Sequence, residues 1–279
     1  MREPLFGRYK PYAMPTVGYA DDVKKLTVGD LAAFYRRFYA PNNAVLIVAG
    51  DAASETVRKL AEKYYGPIPS RRVEPRRRPA EGGSDLPQRV VRADARVAEP
   101  RWNRDFLAPS YRLSESRHAY ALQVLSRLFG GSEISRLSRA LVADGKIALS
   151  ASAGYTASNL GLSNFEISVH PARGRSVAEI EAAVGAEMKR LLDGEIGAEE
   201  VERTQTQLLA TAIYSQDSLA SGPRLYGRML ATGGSIAEID DWPQKIAAVR
   251  PADVVAAARH VWRDEVSVTS LLTPAEGWQ

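Results

Sequence analysis

The chain contains no cysteine and only three histidines in 279 residues. The first absence excludes disulfides, thiolate nucleophiles and every zinc site built on cysteine. The second leaves little for a metal site of another kind. His118, His170 and His260 are so far apart in sequence that no two share one helical face. Long apolar runs are missing as well. No segment reaches the roughly 18 apolar residues of a membrane-spanning helix, and the first residues lack the apolar stretch of a secretion signal. Nor does one sign of charge dominate. There are 37 basic and 33 acidic residues, intermixed, for a net charge of +4. That balance excludes the strong basic field of a nucleic-acid-binding protein. The one basic cluster, Arg71-Arg72 and Arg76-Arg77-Arg78, lies among prolines and reads as a solvated linker.

What is present is the composition of a folded domain. Hydrophobic residues make up 45% and charged residues 25%, enough to bury a sizeable core. Residues 27–39 read as a helix: Thr27 and Asp30 suit a capping box, and Leu31, Phe34, Tyr35 and Phe38 share one face. The run 44–49, wholly apolar and bounded by Asn42-Asn43 and Gly50-Asp51, reads as a buried strand. A second helix covers 54–65 and stops at Gly66-Pro67. Residues 71–88 have no apolar periodicity and read as a linker. Beyond them, strands are predicted over 89–96, 102–107, 147–157, 160–170 and 266–272. Helices are predicted over 116–129, 134–143, most of 176–249, and 251–262.

One internal similarity organises this order. Residues 27–39 align with 250–262, pairing Asp30 with Asp253, Arg36 with Arg259 and Tyr39 with Trp262. Each copy leads into an apolar run, 44–49 or 266–272. Two domains of one fold explain the match. The second copy follows some 160 residues of strands and helices, whereas the first follows about 26 irregular ones. The expected fold class is therefore α+β, with a mostly antiparallel sheet and helices packed on one face. Residues 1–70 form a partial domain, 71–88 a linker, and 89–279 a complete domain.

The residues offer no catalytic constellation. Carboxylate pairs such as Asp21-Asp22, Glu199-Glu200 and Asp240-Asp241 sit where they would cap helices. There is no Gly-x-Ser-x-Gly elbow and no phosphate-binding loop. Gly130-Gly131-Ser132 ends a helix, and its backbone N–H groups could also face a ligand.

At this point the motifs carry a resemblance. Leu26-Thr27-Val28-Gly29-Asp30-Leu31, then Phe38-Tyr39-Ala40-Pro41-Asn42-Asn43 through Gly50-Asp51, resembles the second half of the N-terminal domain of pitrilysin/insulinase-type zinc peptidases, bacterial two-domain type. Pro11 to Gly18 is similar to the segment before it. Leu107-Ala108-Pro109-Ser110-Tyr111, Phe129 to Leu137, and Lys146 to Tyr155 resemble that family's C-terminal, non-catalytic domain. The likeness spans essentially the whole chain, in the right order.

The resemblance implies several things. The family's zinc motif, His-x-x-Glu-His with a distant Glu, lies upstream of the segment matching Pro11 to Gly18. No residue of this chain inherits a catalytic or metal-binding role, and zinc is expected only in a parent protein. Many members hold substrate with an Arg and a following Tyr of the C-terminal domain. The equivalent positions here are Val142 and Leu149. Gly130, Gly131 and Ser132 become the candidate substrate-chamber loop. The implied function is the substrate-chamber part of a zinc metalloendopeptidase, inactive alone, acting on peptide or protein substrates in the periplasm. Its implied partners are the N-terminal half and a paralogous subunit carrying the Arg/Tyr pair. The alternative is a non-catalytic scaffold or partner subunit of the same family.

Overall fold

The computed structural model describes residues 2–7, 11–75, 88–113 and 116–275. The Arg76-Arg77-Arg78 cluster and the rest of the expected linker up to residue 87 lie outside these. The helices run in the order α1 Arg2–Phe6, α2 Ala20–Val23, α3 Val28–Phe38, α4 Ser54–Tyr65, α5 Arg117–Gly130, α6 Val177–Leu192 and α7 Ala198–Ser215. They continue with α8 Ser221–Ala231, α9 Ile236–Asp240, α10 Trp242–Ala247 and α11 Pro251–Val261. The strands are β1 Gln88–Ala93, β2 Arg101–Ala108, β3 Ala148–Tyr155, β4 Ser163–Pro171 and β5 Ser267–Thr273. The chain divides into two compact units. The larger holds Met1–Ala13, Glu81–Thr211 and Asp241–Gln279; the smaller holds Met14–Ala80 and Ala212–Asp240.

The larger unit is an α+β domain. Its sheet has the order β1-β5-β2-β4-β3. Only the β1–β5 pair is parallel; β5–β2, β2–β4 and β4–β3 are antiparallel. Alternation in sequence sets the two faces. Trp102 and Phe106 of β2 lie opposite Val169 and Phe165 of β4, so all four point to the same side. There they meet Leu122, Leu125 and Phe129 of α5, Ile180 and Leu191 of α6, and Val254 and Val261 of α11. Helices thus cover one face. Each large apolar side chain buried there contributes about 1.5–3 kcal/mol. On the opposite face, Val268, Val90, Leu107 and Leu162 are met by Leu5, Phe6, Tyr12 and Ala13 from the start of the chain.

The smaller unit is built differently. α3 has the predicted capping box, with Thr27 Oγ1 accepting from Asp30 N–H at 3.2 Å and Asp30 Oδ2 accepting from Thr27 N–H at 2.9 Å. Its apolar face is nevertheless exposed, with Phe34 at 56% and Leu31 at 59% accessibility. The run 44–49 is no buried strand. Among the described residues it forms no ladder, and Val45 and Leu46 are 58% and 55% exposed. The physical reason is the lack of neighbours. A strand needs flanking backbone to satisfy its N–H and C=O groups and a packed layer on each apolar face, and the described residues of this unit supply neither.

A second correction concerns residues 134–143. Periodicity predicts an α-helix there, but Ser138–Asp144 is a π-helix. Gly145 N–H donates to Ala140 O at 3.0 Å, a five-residue span that widens the turn. That turn brings Ala140 O so close that a Cβ on Gly145 would lie 2.4 Å from it. Lys146 follows with φ 50°, the left-handed region.

Candidate functional site

α5, the π-helix and β3 converge on the Gly130 turn. Helix α5 ends where its backbone touches the strand: a Cβ on Gly130 would sit 2.1 Å from Ala153 N, so only glycine permits this approach. Gly131 is occupied with its own helix. Its N–H donates to Arg127 O at 3.0 Å, and its carbonyl accepts from Arg127 Nη1 at 2.7 Å. Ser132 O accepts from Ser135 Oγ at 2.6 Å. Ser135 Oγ lies 3.2 Å from Ser138 Oγ, which donates to Ala151 O on β3 at 3.2 Å. Serine hydroxyls therefore tie the turn, the π-helix and the strand into one piece. Arg136 anchors the same segment from outside. Its guanidinium bonds Glu200 at 2.6 and 2.8 Å and also reaches Glu195 O.

The turn is thus tied to its own helix, to the π-helix and to β3. Its consequence is the position of β3, the outermost strand beside β4. The two edges of the sheet differ. β1 carries Arg89 and Arg92, charges of the kind that discourage strand pairing. β3, with the sequence Ala-Leu-Ser-Ala-Ser-Ala-Gly-Tyr, carries no charge at all. Its pairing with β4 has one irregularity, between Ala148 and Ser150. Val142 lies in the π-helix, partly buried against the core, while Leu149 on β3 is 55% exposed. Both are aliphatic, and neither can hydrogen-bond a peptide through its side chain.

The histidines are placed in a way their spacing does not suggest. His118 on α5 and His260 on α11 stack, with centroids 4.6 Å apart and planes 17° from parallel. The signal that could have found this pair is the apolar faces of the two helices, because those faces must meet in the core. His170 lies apart on β4. Burial holds its pKa below the ordinary value, helped by the nearby positive charge of Arg101 and opposed by Glu99. Tyr155 is also shifted: burial, then the neighbouring Tyr111, pushes its phenol far above the ordinary value, and its hydroxyl donates to Pro109 O at 2.6 Å. It is a structural donor and not an acid at neutral pH.

The family model described as the peptidase M16 inactive domain matches residues 25–208. The chain belongs to this family. The zinc protease PqqE of Helicobacter pylori is 25% identical over 271 residues, which cover 95% of this chain and 59% of that protein. A solved protease from Helicobacter pylori superposes with a TM-score of 0.85 at 22% identity, over 95% of this chain and 63% of that one. A peptidase M16 inactive domain from Pseudomonas fluorescens gives 0.82 at 16% identity, covering 100% and 64%. The first half of the periplasmic protease PqqL from Escherichia coli gives 0.74 at 17%, covering 93% and 57%. The chain therefore spans about three-fifths of the length of these relatives.

Zinc, the metal in the name of PqqE, does not fit the residues described. No group of three His, Asp or Glu side chains among them is placed to hold a metal. The stacked imidazoles of His118 and His260 present near-parallel planes instead of converging lone pairs, and among the described residues no third donor joins them. Nor is any helix among the described residues long and apolar enough to cross a membrane.

Proposed function

We propose that this chain is the C-terminal, substrate-chamber part of a zinc metallopeptidase whose metal is held by residues outside it. One observation carries the reading. A capped helix followed by an apolar run occurs twice in the sequence, and only one of the two runs is a strand embedded in a sheet. α11 leads into β5 at the interior of the sheet, whereas α3 leads into 44–49, which pairs with nothing among the described residues. In chain order, residues 1–70 then represent the second half of an N-terminal peptidase-like domain, 71–88 the linker, and 89–279 the non-catalytic C-terminal domain, with 1–13 grouped in the larger compact unit and 212–240 in the smaller. The zinc-binding half supplies the strands that flank 44–49.

An extended peptide is the substrate class that suits β3. Its uncharged edge offers backbone groups for an added strand, beside the Gly130-Gly131-Ser132 turn. Val142 and Leu149 leave the peptide without the family's Arg and Tyr, which a paralogous subunit would contribute. That departure counts against a purely non-catalytic partner subunit, whose task would be to supply the pair. By likeness to the periplasmic PqqL, the periplasm is the proposed compartment. The test compares the full product of the gene with this chain alone. Zinc content after dialysis and cleavage of a quenched peptide are read for each. Zinc and chelator-sensitive cleavage are expected from the full product and neither from the chain. A retained equivalent of zinc in the chain alone overturns the reading.

A further inference from the structure

The two compact units do not follow the order of the chain. The larger takes residues 1–13 from ahead of the linker, and the smaller takes 212–240 from beyond it. Everything before residue 81 thus gives a segment to the unit built mainly from what comes after. The later part gives one in return.

Both exchanged segments are seated by identifiable contacts. On the outer sheet face, Leu5 is 2% and Phe6 5% exposed, packed with Ala13 and Val268 and bordered by Val90, Leu107 and Leu162. The Phe6 and Tyr12 rings are 5.9 Å apart. Tyr12 Oη accepts from the backbone N–H of Leu160 at 2.6 Å, which orients the segment as well as burying it. In the smaller unit, Gly227 of α8 comes close to Ile47: a Cβ there would be 3.5 Å from Ile47 Cδ1. The stretch leading to the linker is tied back to its own side. Asn42 Nδ2 donates to Arg71 O at 2.9 Å, Arg71 N–H donates to Asn42 Oδ1 at 3.1 Å, and Arg37 pairs with Glu74 at 2.5 Å.

We infer that the protein is reciprocally interlaced, so that a break in its linker leaves it non-covalently whole. The outer sheet face is a docking groove whose occupant is the segment carrying Leu5, Phe6, Tyr12 and Ala13. Apolar knobs supply the affinity, and the Tyr12–Leu160 hydrogen bond supplies the register. The interlacing does not depend on any zinc-binding half, so it stands or falls separately from the function proposed above.

The experiment uses the full chain with a specific protease site inserted between Gly82 and Gly83. After cutting, the two pieces are followed by size exclusion and native mass spectrometry. The unaltered groove is expected to keep them together at a 1:1 ratio. Leu5→Asp with Phe6→Asp is expected to weaken the association about tenfold or more. Separation of the pieces without any substitution overturns the inference. So does association that the double substitution leaves unchanged. Should the uncut double variant lose its circular dichroism, Tyr12→Phe decides instead. It removes one hydroxyl and keeps the ring, and the Leu160 amide is expected to exchange faster with solvent. An unchanged exchange rate overturns the docking contact.

Discussion

Trp262 and Tyr39 occupy matching positions at the ends of two similar helices, α11 and α3, yet their surroundings have little in common. Trp262 is buried, 4.8 Å from the Phe129 ring and 5.7 Å from that of Phe165. Tyr39 is 63% exposed and stacks on Tyr35, one turn back on the same surface. Both helices are closed by an acidic residue at the same place. Asp253 accepts from Arg250 N–H at 2.9 Å, as Asp30 accepts from Thr27 N–H. Local chemistry is therefore shared, and what differs is the layer each helix can pack against. Sequence pattern specifies the helix; neighbours specify whether its apolar face stabilises anything.

The comparison can be broken most directly in the core. Phe165→Ala in the larger unit is expected to cost about 3–5 kcal/mol in denaturant unfolding. Phe34→Ala in the smaller unit is expected to cost far less, about 1 kcal/mol or below, because the residue is 56% exposed and its ring meets the neighbouring Phe38 and Tyr39. Comparable losses at the two positions would show that the smaller unit has a core after all.

Glycine sharpens the contrast at intermediate size. Gly130→Ala forces a methyl into the backbone of β3 and is expected to cost about 1–3 kcal/mol, read as a lowered unfolding midpoint. Gly227→Ala on α8 meets only an ordinary contact with Ile47. It is expected to be neutral or to add up to about 1 kcal/mol through helix propensity. The smallest effects belong to the caps. Ser176→Ala on α6 and Thr27→Ala on α3 are each expected to cost about 1 kcal/mol of local helix stability. Only the first should reach the cooperative transition. The carboxyls in these boxes also set a pH dependence. The backbone N–H of Ser176 holds Glu179 below its ordinary pKa, with Arg175 and the Ser176 hydroxyl assisting. The Thr27 hydroxyl, then its backbone N–H, does the same for Asp30. Their contribution is complete above the usual carboxylate range and is lost as pH falls through the lowered values. Far-UV circular dichroism on acid titration should show it, and the two alanine variants should flatten that loss.

Much of this architecture is legible in the sequence. Alternating residues such as Phe165, Ile167 and Val169 announce β4, and the Thr27–Asp30 spacing announces the start of α3. The α+β class and the family resemblance follow from motifs. Three things are not legible. The apolar run 44–49 satisfies every local rule for a buried strand, and only the missing neighbours undo it. The π-helix at 138–144 is followed by the Gly145 N–H to Ala140 O bond and the left-handed Lys146, features that apolar spacing does not encode. The docking of Leu5 and Phe6 on β5 joins residues more than 250 positions apart, where no periodicity helps. At the candidate site, Gly130 is visible as a helix end. Its real constraint, contact with the backbone of Ala153, is a tertiary fact.

The sheet order has a consequence for how the chain comes to be folded during synthesis. Of the five strands β5 is made last, yet it lies between β1 and β2, which are made first. Its register joins Gln88 to Val268. A nascent chain therefore holds β1 with no partner for the time needed to translate nearly the whole domain. Until residue 273 leaves the ribosome, β2 keeps one bare edge and the Val90 side chain lacks its groove. Long-range closure of this kind is slow and exposes strand edges while it waits. The arginines of β1 then acquire a second use. Charge on an unpaired strand opposes its pairing with another chain.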